Sequence, residues 1–492
     1  MIRLSEYSKR NLWIYLASAL FVIVNGLLVY NEVYILNLLP FVLLFLLLAF
    51  LALDKLFLVI VFLTPLSVPM AEIISGLSVN LYLPTEPLLF GAMILFVFKL
   101  GYEKQVDLKI FTHPVSLAIY LNLIWILITS VTSTMPFVSF KFLFARLWFV
   151  TGYFFLATYC FKKPENIKWF FRAYLAGLSL VIIYTLINHS RVGLINQEAA
   201  HSAVHPFYND HTAYGAALAM YIPVIVAFVF SLGKKGSLYK VQWILLLALF
   251  SFAMVFSYTR AGWISLAGAF VIYLLIKFRV RISLLVFAIV ILIAAGYLFR
   301  SNILMELEKN RQDSSANLAE HIQSISNITS DASNLERINR WKSAFRMFNE
   351  RPVFGWGPGT YMFLYAPYQQ SGEKTIISTN FGDLGNAHSE YIGPLAESGA
   401  MGTISFLVIV MAVIITGIRV WRNLKGTWSG SLALGTLIGL TTYFLHGLVN
   451  NFLDTDKASA PFWGFIAILV VLDIYGKKSG KKPFTGKFSV IK

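Results

Sequence analysis

The sequence predicts an all-α, polytopic membrane protein: a bundle of about fourteen transmembrane helices, both termini cytoplasmic, with one large extracytoplasmic loop between helices 11 and 12. Three observations predict this fold class. Of the 492 residues, 58% are hydrophobic and 13% are charged, against about 25% charged in a soluble protein. The apolar residues form continuous blocks of helix length, without the alternation of an outer-membrane barrel. Lys and Arg are concentrated in every second connecting segment.

Fourteen apolar blocks are candidate spans. The first has no small-residue cleavage site after it, so we interpret it as a retained helix and not as a signal peptide. The third is short, which leaves a re-entrant segment as an alternative there. The blocks lie at 11–30, 33–53, 56–70, 84–100, 115–133, 142–160, 168–188, 211–231, 242–258, 261–277, 281–299, 393–418, 430–449 and 459–475.

The distribution of basic residues predicts the orientation. With the N-terminus in the cytoplasm, the inside segments hold 25 of the 40 Lys and Arg, and the short outside loops hold four. The net charge of +16 is therefore a topological signal, and it does not indicate nucleic acid. The predicted domains are spans 1–11 in residues 1–299, the extracytoplasmic loop 300–392, spans 12–14 in 393–475, and a basic cytoplasmic tail 476–492.

The long loop contains a predicted amphipathic helix near 334–350. Ser333 and Glu336 have capping-box spacing, and apolar residues follow at helical intervals up to Phe348. After Pro352 come three glycines in Phe354–Gly359. They fit either a turn that returns the chain to the membrane or a backbone nest for an anion. The turn is favoured, because no helix N-terminus of the phosphate-loop kind follows.

A few outward charges contradict the positive-inside rule. Arg260 lies between two apolar spans, where an unpaired arginine costs a few kcal/mol, so we favour a functional role over snorkelling. Arg337 and Arg340 are three residues apart on the predicted helix and therefore close together. Taken alone, each arginine on this helix is more often solvated or salt-bridged. Arg191 is a fourth outward arginine.

Histidines are the other candidates. His388 precedes span twelve, and histidine is the side chain best able to take a proton near neutral pH, with Glu397 as a possible orienting partner. The loop 188–211 holds four histidines, and His446 marks the last outside loop. A metal shared by His201 and His205 is disfavoured, because no further ligand pattern accompanies them. We therefore predict no metal and no cofactor.

Several motifs follow one another along the chain: Phe207–His211, Ser257–Arg260, the Arg337-to-Trp341 helix followed by Pro352 and the three glycines, His388–Tyr391, and Leu395–Gly399. In this order they resemble the O-antigen ligase and O-antigen polymerase superfamily of bacterial membrane glycosyltransferases. The resemblance covers about residues 200–475. Ser389 stands where many ligases have asparagine, and the ligases usually have twelve helices.

The resemblance implies an enzyme that moves a glycan from an undecaprenyl-pyrophosphate donor to an acceptor hydroxyl on the outer face of the bacterial cytoplasmic membrane. It implies a metal-independent, inverting transfer in lipopolysaccharide or polysaccharide biosynthesis, with membrane lipid as surroundings and no nucleic acid. His388 is then the predicted catalytic base. The predicted pyrophosphate-binding residues are Arg260, Arg337, Arg340 and Arg191, and the supporting residues are Glu397, His211 and His446.

Three acceptors stay open within the superfamily: a glycolipid such as lipid A core, a growing glycan in a polymerase, or a protein. The aromatic stretch Tyr361–Tyr368 fits either sugar stacking or interfacial anchoring. Outside the superfamily, a lipid-linked glycan flippase is the alternative, and a scaffold the third. The absence of internal repeats and the outward position of the charges favour an enzyme.

Overall fold

The computed structural model describes residues 2–73, 81–103, 106–231, 237–280, 332–375, 378–379 and 385–476. In these ranges the regular structure is almost all helical. The exception is a short antiparallel pair, β1 (Val68–Pro69) with β2 (Tyr82–Leu83). The predicted all-α membrane class is confirmed. The chain divides into two compact units, residues 1–56 and 57–492.

The first unit contains α1 (Ile2–Tyr30), α2 (Leu39–Leu51) and the start of α3 (Leu53–Leu63). None of the apolar window Leu12–Tyr30 is buried, as expected for a helix whose side chains face lipid. α3 has eleven residues and rises about 16 Å, which is too short for a hydrocarbon layer of about 30 Å. A turn containing Pro65 ends it. The third predicted span, 56–70, is therefore not a full-length helix.

The second unit contains the remaining helices, and helices cover all the later predicted spans that lie within the described residues. The eleventh span, 281–299, the first part of the loop, 300–331, and the tail from residue 477 lie outside them. The helices are α4 (Met70–Ile73), α5 (Thr85–Glu103), α6 (Leu108–Phe111), α7 (Pro114–Val131), α8 (Pro136–Val150), which continues through the π-helical Thr151–Leu156 into α9 (Ala157–Phe161), α10 (Pro164–Val192), α11 (Gln197–Ala203), α12 (His211–Ser231), α13 (Ser237–Phe256), α14 (Arg260–Lys277), α15 (Ala332–Glu350), α16 (Tyr361–Leu364), α17 (Ile392–Asn423), α18 (Trp428–His446) and α19 (Asp456–Tyr475).

Nine helices in the described ranges are long and apolar enough to span a membrane. The predicted total of fourteen, and with it the N-in/C-in orientation, stays a prediction. α19 is the central helix of the second unit, since every residue from Asp456 to Leu472 is buried. A helix that is apolar on all sides is stable in this way only at the centre of a bundle.

Proline and capping residues fix where several helices begin. α7, α8 and α10 each start with proline, whose φ is already helical and whose missing N–H is not needed in the first turn. The Thr427 side chain accepts the N–H of Gly430 and caps α18. These local signals are visible in the sequence.

α17 is interrupted five residues after Pro394, at Gly399, which has φ 67° and ψ −170°. The break lies against the first residues of the turn after α15. The Ala400 N–H donates to the Pro352 carbonyl at 3.0 Å, and a Cβ on Gly399 would come within 2.1 Å of the Val353 carbonyl oxygen. Both the left-handed backbone and the close approach therefore require glycine here.

We expect Gly399→Ala to lower the free energy of unfolding by roughly 2 kcal/mol or more, because left-handed backbone costs about 1–2 kcal/mol with a Cβ and the carbonyl contact adds to it. Thermal unfolding in detergent measures the effect. Gly372→Ala is the control, since a Cβ there meets nothing within 4 Å. Equal melting temperatures for the two variants would contradict the requirement for glycine at position 399.

Candidate functional site

His388 lies in the segment that leads into α17, and its backbone is held in the left-handed region with φ 47°. The Asn386 side-chain oxygen accepts the His388 N–H at 3.0 Å. Next to it, Ser389 Oγ accepts the N–H groups of Tyr391 and Ile392, both at 3.2 Å, at the start of α17. The His388 ring is therefore carried by a backbone that is fixed on both sides.

Glu390 ties the same segment to the opposite helix end. Its N–H donates to the Gly447 carbonyl at 2.8 Å, just after α18. Its carboxylate accepts the Tyr443 hydroxyl at 2.6 Å. The His388 segment is thus fixed between the beginning of α17 and the end of α18.

The imidazole of His388 is neutral at pH 7. Burial lowers its pKa, and the positive charges of Arg337 and Arg340 lower it further, from 6.5 to about 4. Asp210 and Glu336 act in the opposite direction and are outweighed. The structure therefore brings the predicted base into the field of two of the predicted arginines.

Arg340 is almost fully buried and is held on three sides. Its Nε donates to Glu336 Oε1 at 2.7 Å, and its guanidinium lies 4.2 Å from the centre of the Tyr365 ring. Nη1 is buried without a hydrogen-bond partner in the part of the chain that the structure describes. The backbone of Gly385 lies against it, since a Cβ there would come 1.2 Å from Nη1. Such a nitrogen is available to an anionic ligand.

Glu336 connects α15 to the segment after residue 373. Its carboxylate accepts the Thr375 hydroxyl at 3.0 Å, the Ser378 hydroxyl and Arg340 Nε. Burial alone raises the pKa of Glu336, but these hydrogen bonds outweigh it and hold the pKa below 4.5. The helix spans Ala332–Glu350, and the Glu336 carboxylate serves tertiary contacts. The Ser333 half of the predicted capping box lies outside the described side chains, so the capping box stays a prediction.

The predicted amphipathic helix is observed as α15, and it packs on the bundle. Ala344 and Met347 are fully buried, in a cluster with Tyr361, Tyr365 and Ala396. The Tyr361 hydroxyl donates to the Arg340 carbonyl at 2.7 Å. These two tyrosines pack against α15. This role is neither the sugar stacking nor the interfacial anchoring considered for the aromatic stretch.

The three glycines form a turn that docks on α17. The N–H groups of Trp356 and Gly357 donate to the carbonyls of Ala396 and Glu397 at 3.1 and 2.7 Å, so these donors are not left for an anion. The Glu397 carboxylate accepts the Tyr361 N–H at 3.0 Å. The favoured prediction of a turn agrees with this geometry. Glu397 holds the turn, which differs from the orienting role that the sequence suggested for it.

Arg260 and His211 are the first residues of α14 and α12, the starts of which lie side by side. Thr259 Oγ1 donates to the His211 carbonyl at 2.8 Å, and this contact joins the two helix ends. The ring of His211 stacks on His201 at 4.0 Å between centroids. Arg260 itself is partly buried at the first position of α14.

His446 is the last residue of α18. It is 1% exposed, and its Nε2 lies 3.0 Å from the Asn450 side-chain nitrogen. The charged groups that act on it are Arg337 on α15 and Asp210 beside α12. The charge of Arg337 therefore acts on both His388 and His446. Its Nη1 donates to Asn334 Oδ1 at 3.0 Å.

Arg191 is exposed on the last turn of α10. Among the described residues, no hydrogen bond or ion pair joins it to His388 or to the other arginines. The loop after it is anchored nearby, because the Tyr258 hydroxyl donates to the carbonyls of Leu194 and Ile195. Arg191 thus lies near the Ser257–Arg260 segment and apart from His388, Arg337 and Arg340.

The sequence did not identify Asp210 and Gly385 as site residues. Asp210 Oδ1 accepts the N–H groups of Thr212 and Ala213, at 2.7 and 2.8 Å, and so caps α12. An aspartate two residues before threonine at the start of an apolar span was the available signal. Gly385 had none, because its role depends on where the Arg340 guanidinium lies.

Within the described ranges, no group of three or more His, Cys, Asp or Glu is placed to hold a metal ion. His201 stacks on His211, while His205 Nε2 lies 3.4 Å from Glu72 Oε1. These two histidines therefore have separate neighbours.

Residues 245–407 match a protein-family model described as O-antigen ligase, and the match confirms the resemblance that the motifs predicted. No curated protein matches the chain significantly. The predicted site residues inside the matched segment are Arg260, Arg337, Arg340, His388 and Glu397, and those outside it are Arg191, His211 and His446.

We expect Glu336→Gln to lower the free energy of unfolding at pH 7 by roughly 3 kcal/mol, because it leaves the buried Arg340 without its anion. Because the folded pKa of Glu336 is depressed, this stability is present above its ordinary pKa of 4.5 and is lost as pH falls through the folded value. The two proteins should then converge in acid. Unfolding in detergent between pH 7 and pH 3 tests this.

The control for that experiment is Glu373→Gln, which removes a carboxylate from two more exposed ion pairs, with Lys342 and Arg346. It should cost less than about 1 kcal/mol. A Glu336→Gln effect that is as small, or that persists unchanged at pH 3, would show that the Glu336–Arg340 pair does not stabilise the fold.

Proposed function

We propose that this O-antigen ligase-like protein transfers a glycan from an undecaprenyl-pyrophosphate donor to an acceptor hydroxyl, at the extracytoplasmic face of the bacterial cytoplasmic membrane. The family match and the multi-pass helices support a membrane enzyme that processes glycans. One observation carries the proposal. The charges of Arg337 and Arg340 act on the imidazole of His388.

In this mechanism the arginines bind the donor's leaving group. Arg337 and Arg340 on α15, and Arg260 on α14, hold the pyrophosphate by charge-assisted hydrogen bonds, and the buried Nη1 of Arg340 supplies one donor. These cations stabilise the negative charge that grows on the pyrophosphate as the sugar–phosphate bond breaks. The donor is already activated, so no nucleotide is needed.

His388 takes the proton of the acceptor hydroxyl. The acceptor oxygen forms a bond to the anomeric carbon from the face opposite the pyrophosphate, the bond between that carbon and the phosphate oxygen breaks, and the configuration inverts. A neutral imidazole is required at the start, and the low pKa of His388 provides it.

Donor binding also strengthens the base. An imidazole of pKa about 4 is a weak base, but the pyrophosphate offsets the charges of Arg337 and Arg340 that depress this pKa. Its pKa then rises towards the value set by burial alone. The base thus reaches its full strength with the donor in place, which limits proton uptake in the empty enzyme.

The acceptor decides between a ligase, a polymerase and a protein oligosaccharyltransferase, which share this donor chemistry. Purified protein given lipid-linked donor together with lipid A core, repeat-unit glycan or acceptor protein, followed by mass spectrometry of the product, distinguishes the three. Movement of intact donor across vesicles without any product would support the flippase alternative instead.

We expect His388→Ala to reduce transfer by about 10²–10⁴-fold, the usual contribution of a general base, while the protein stays folded. Surface glycan on gels and product formation in vitro measure it. His205→Ala is the matched control, because that histidine is exposed and paired with Glu72. Wild-type transfer by well-expressed His388→Ala protein would exclude His388 as the base.

The pH profiles should differ between the free and the donor-bound enzyme. Transfer is lost as pH falls through the pKa of His388, so the acid limb of kcat/KM for the donor should lie near pH 4. The acid limb of kcat, which reports the enzyme–donor complex, should lie at a higher pH. Arg337→Gln should move the acid limb of kcat/KM to higher pH and so reduce the difference between the two limbs. Coinciding limbs in the wild type would contradict donor-dependent strengthening of the base.

A further inference from the structure

The turn after α15 begins with three exposed apolar residues, Pro352, Val353 and Phe354, which we name the tip. Val353 is 58% exposed and Phe354 is 44% exposed, and Pro352 before them is exposed as well. Contact of such side chains with water is unfavourable, so a run of them indicates a surface with an apolar partner. What the tip faces depends on its depth relative to the membrane-spanning helices.

Two helices give the depth of the tip. The ring of Phe354 stacks on Trp125 of α7, with 5.9 Å between centroids. Trp125 lies six residues, about 9 Å, before Val131, the last residue of α7. On the other side, the Pro352 carbonyl accepts the N–H of Ala400, eight residues after the start of α17. Both contacts place the tip roughly 10 Å inside the ends of the two spans.

The chain returns to the surface at once after the tip. The N–H of Thr134, in the loop beyond the end of α7, donates to the Trp356 carbonyl at 3.0 Å. Trp356 therefore lies at the level of the α7–α8 loop, while Phe354, two residues earlier, lies at the level of Trp125. The turn thus enters the depth of the spans and leaves it within a few residues.

The surface around the tip is the lipid-facing surface of the bundle. On α7, Leu121 and Ile128 lie four residues before and three residues after Trp125, so they share its face, and both are exposed. Val131 at the end of α7 is exposed as well, and so is Ile404 on α17, just beyond the break. The exposed tip is therefore continuous with apolar side chains that two spanning helices present to lipid.

Arg351 and Trp356 on either side of the tip fit the headgroup region. The guanidinium of the exposed Arg351 lies 4.2 Å from the centre of the Trp356 ring, and Trp356 is at the level of the α7–α8 loop. Tryptophan is favoured at the boundary of the hydrocarbon, and arginine is attracted to lipid phosphate there. An apolar tip with this pair above it has the order of a segment that enters a leaflet.

We infer that the tip inserts into the hydrocarbon of the leaflet next to the α7–α8 loop, with Arg351 at the lipid phosphate groups. In the predicted orientation this is the outer leaflet. The partner is a lipid surface, and the inference does not depend on the proposed transferase reaction. Because α15 ends two residues before the tip, the leaflet is then a further support for the helix that carries Arg337 and Arg340.

Depth-dependent quenching in full-length protein tests the inference. Cys160→Ala removes the only native cysteine, and Val353→Cys, Arg351→Cys or Gly372→Cys then supplies one site for a nitrobenzoxadiazole label. Each labelled protein is reconstituted into vesicles of phosphatidylcholine and phosphatidylglycerol. We expect the Val353→Cys label to show blue-shifted emission and to be quenched most by acyl-chain nitroxides. The Arg351→Cys label should be quenched most by a headgroup nitroxide.

Gly372→Cys is the matched control, because Gly372 is exposed between polar residues and a Cβ there meets nothing within 4 Å. Its label should be quenched most by aqueous iodide. Pro352→Cys keeps the carbonyl that binds Ala400 and is the second tip variant in case Val353→Cys does not fold.

Stronger quenching of the folded tip variants by iodide or by the headgroup nitroxide than by acyl-chain nitroxides would overturn the inference. Protection of the tip label from all three quenchers would also overturn it, since a protein partner or a second copy of this chain would then cover the tip.

Discussion

The docking of the glycine turn on the broken α17 is the constraint on which the site depends. The break at Gly399 exposes backbone groups two turns after the start of a membrane helix, and the chain after α15 satisfies them through its own backbone. Unpaired backbone N–H and C=O groups are costly near hydrocarbon, so α17 needs the hydrogen bonds that the turn supplies. Because the turn starts at the end of α15, the same contacts fix where Arg337 and Arg340 lie relative to His388.

A second consequence of this docking is the separation of charge on the two sides of His388. Towards α15, cations dominate, and the imidazole is held neutral. The charge of Arg146 acts on the carboxyl groups of Glu390 and Glu397, which follow His388 in the chain. The fold thus places groups of opposite charge within a few residues of His388.

The sequence predicted most of the fold because hydropathy acts along the chain. A continuous apolar block predicts a helix without knowledge of its neighbours, and proline or threonine at the helix starts predicts the boundaries. The sequence was less informative where a side chain makes contacts far away in the chain. The spacing of Ser333 and Glu336 predicts a capping box, and it gives no sign that Glu336 binds Arg340 and the segment near Ser378. The third block ended early at the turn containing Pro65.

The sequence by itself determined the membrane class, the helical segments, and the residue types able to hold a pyrophosphate and accept a proton, because these follow from composition, periodicity and side-chain chemistry. Only the tertiary structure decided their arrangement. It drew His388, Arg337 and Arg340 together, left Arg191 apart, and assigned Glu397 to the turn, since electrostatic effects depend on distances between residues far apart in the chain.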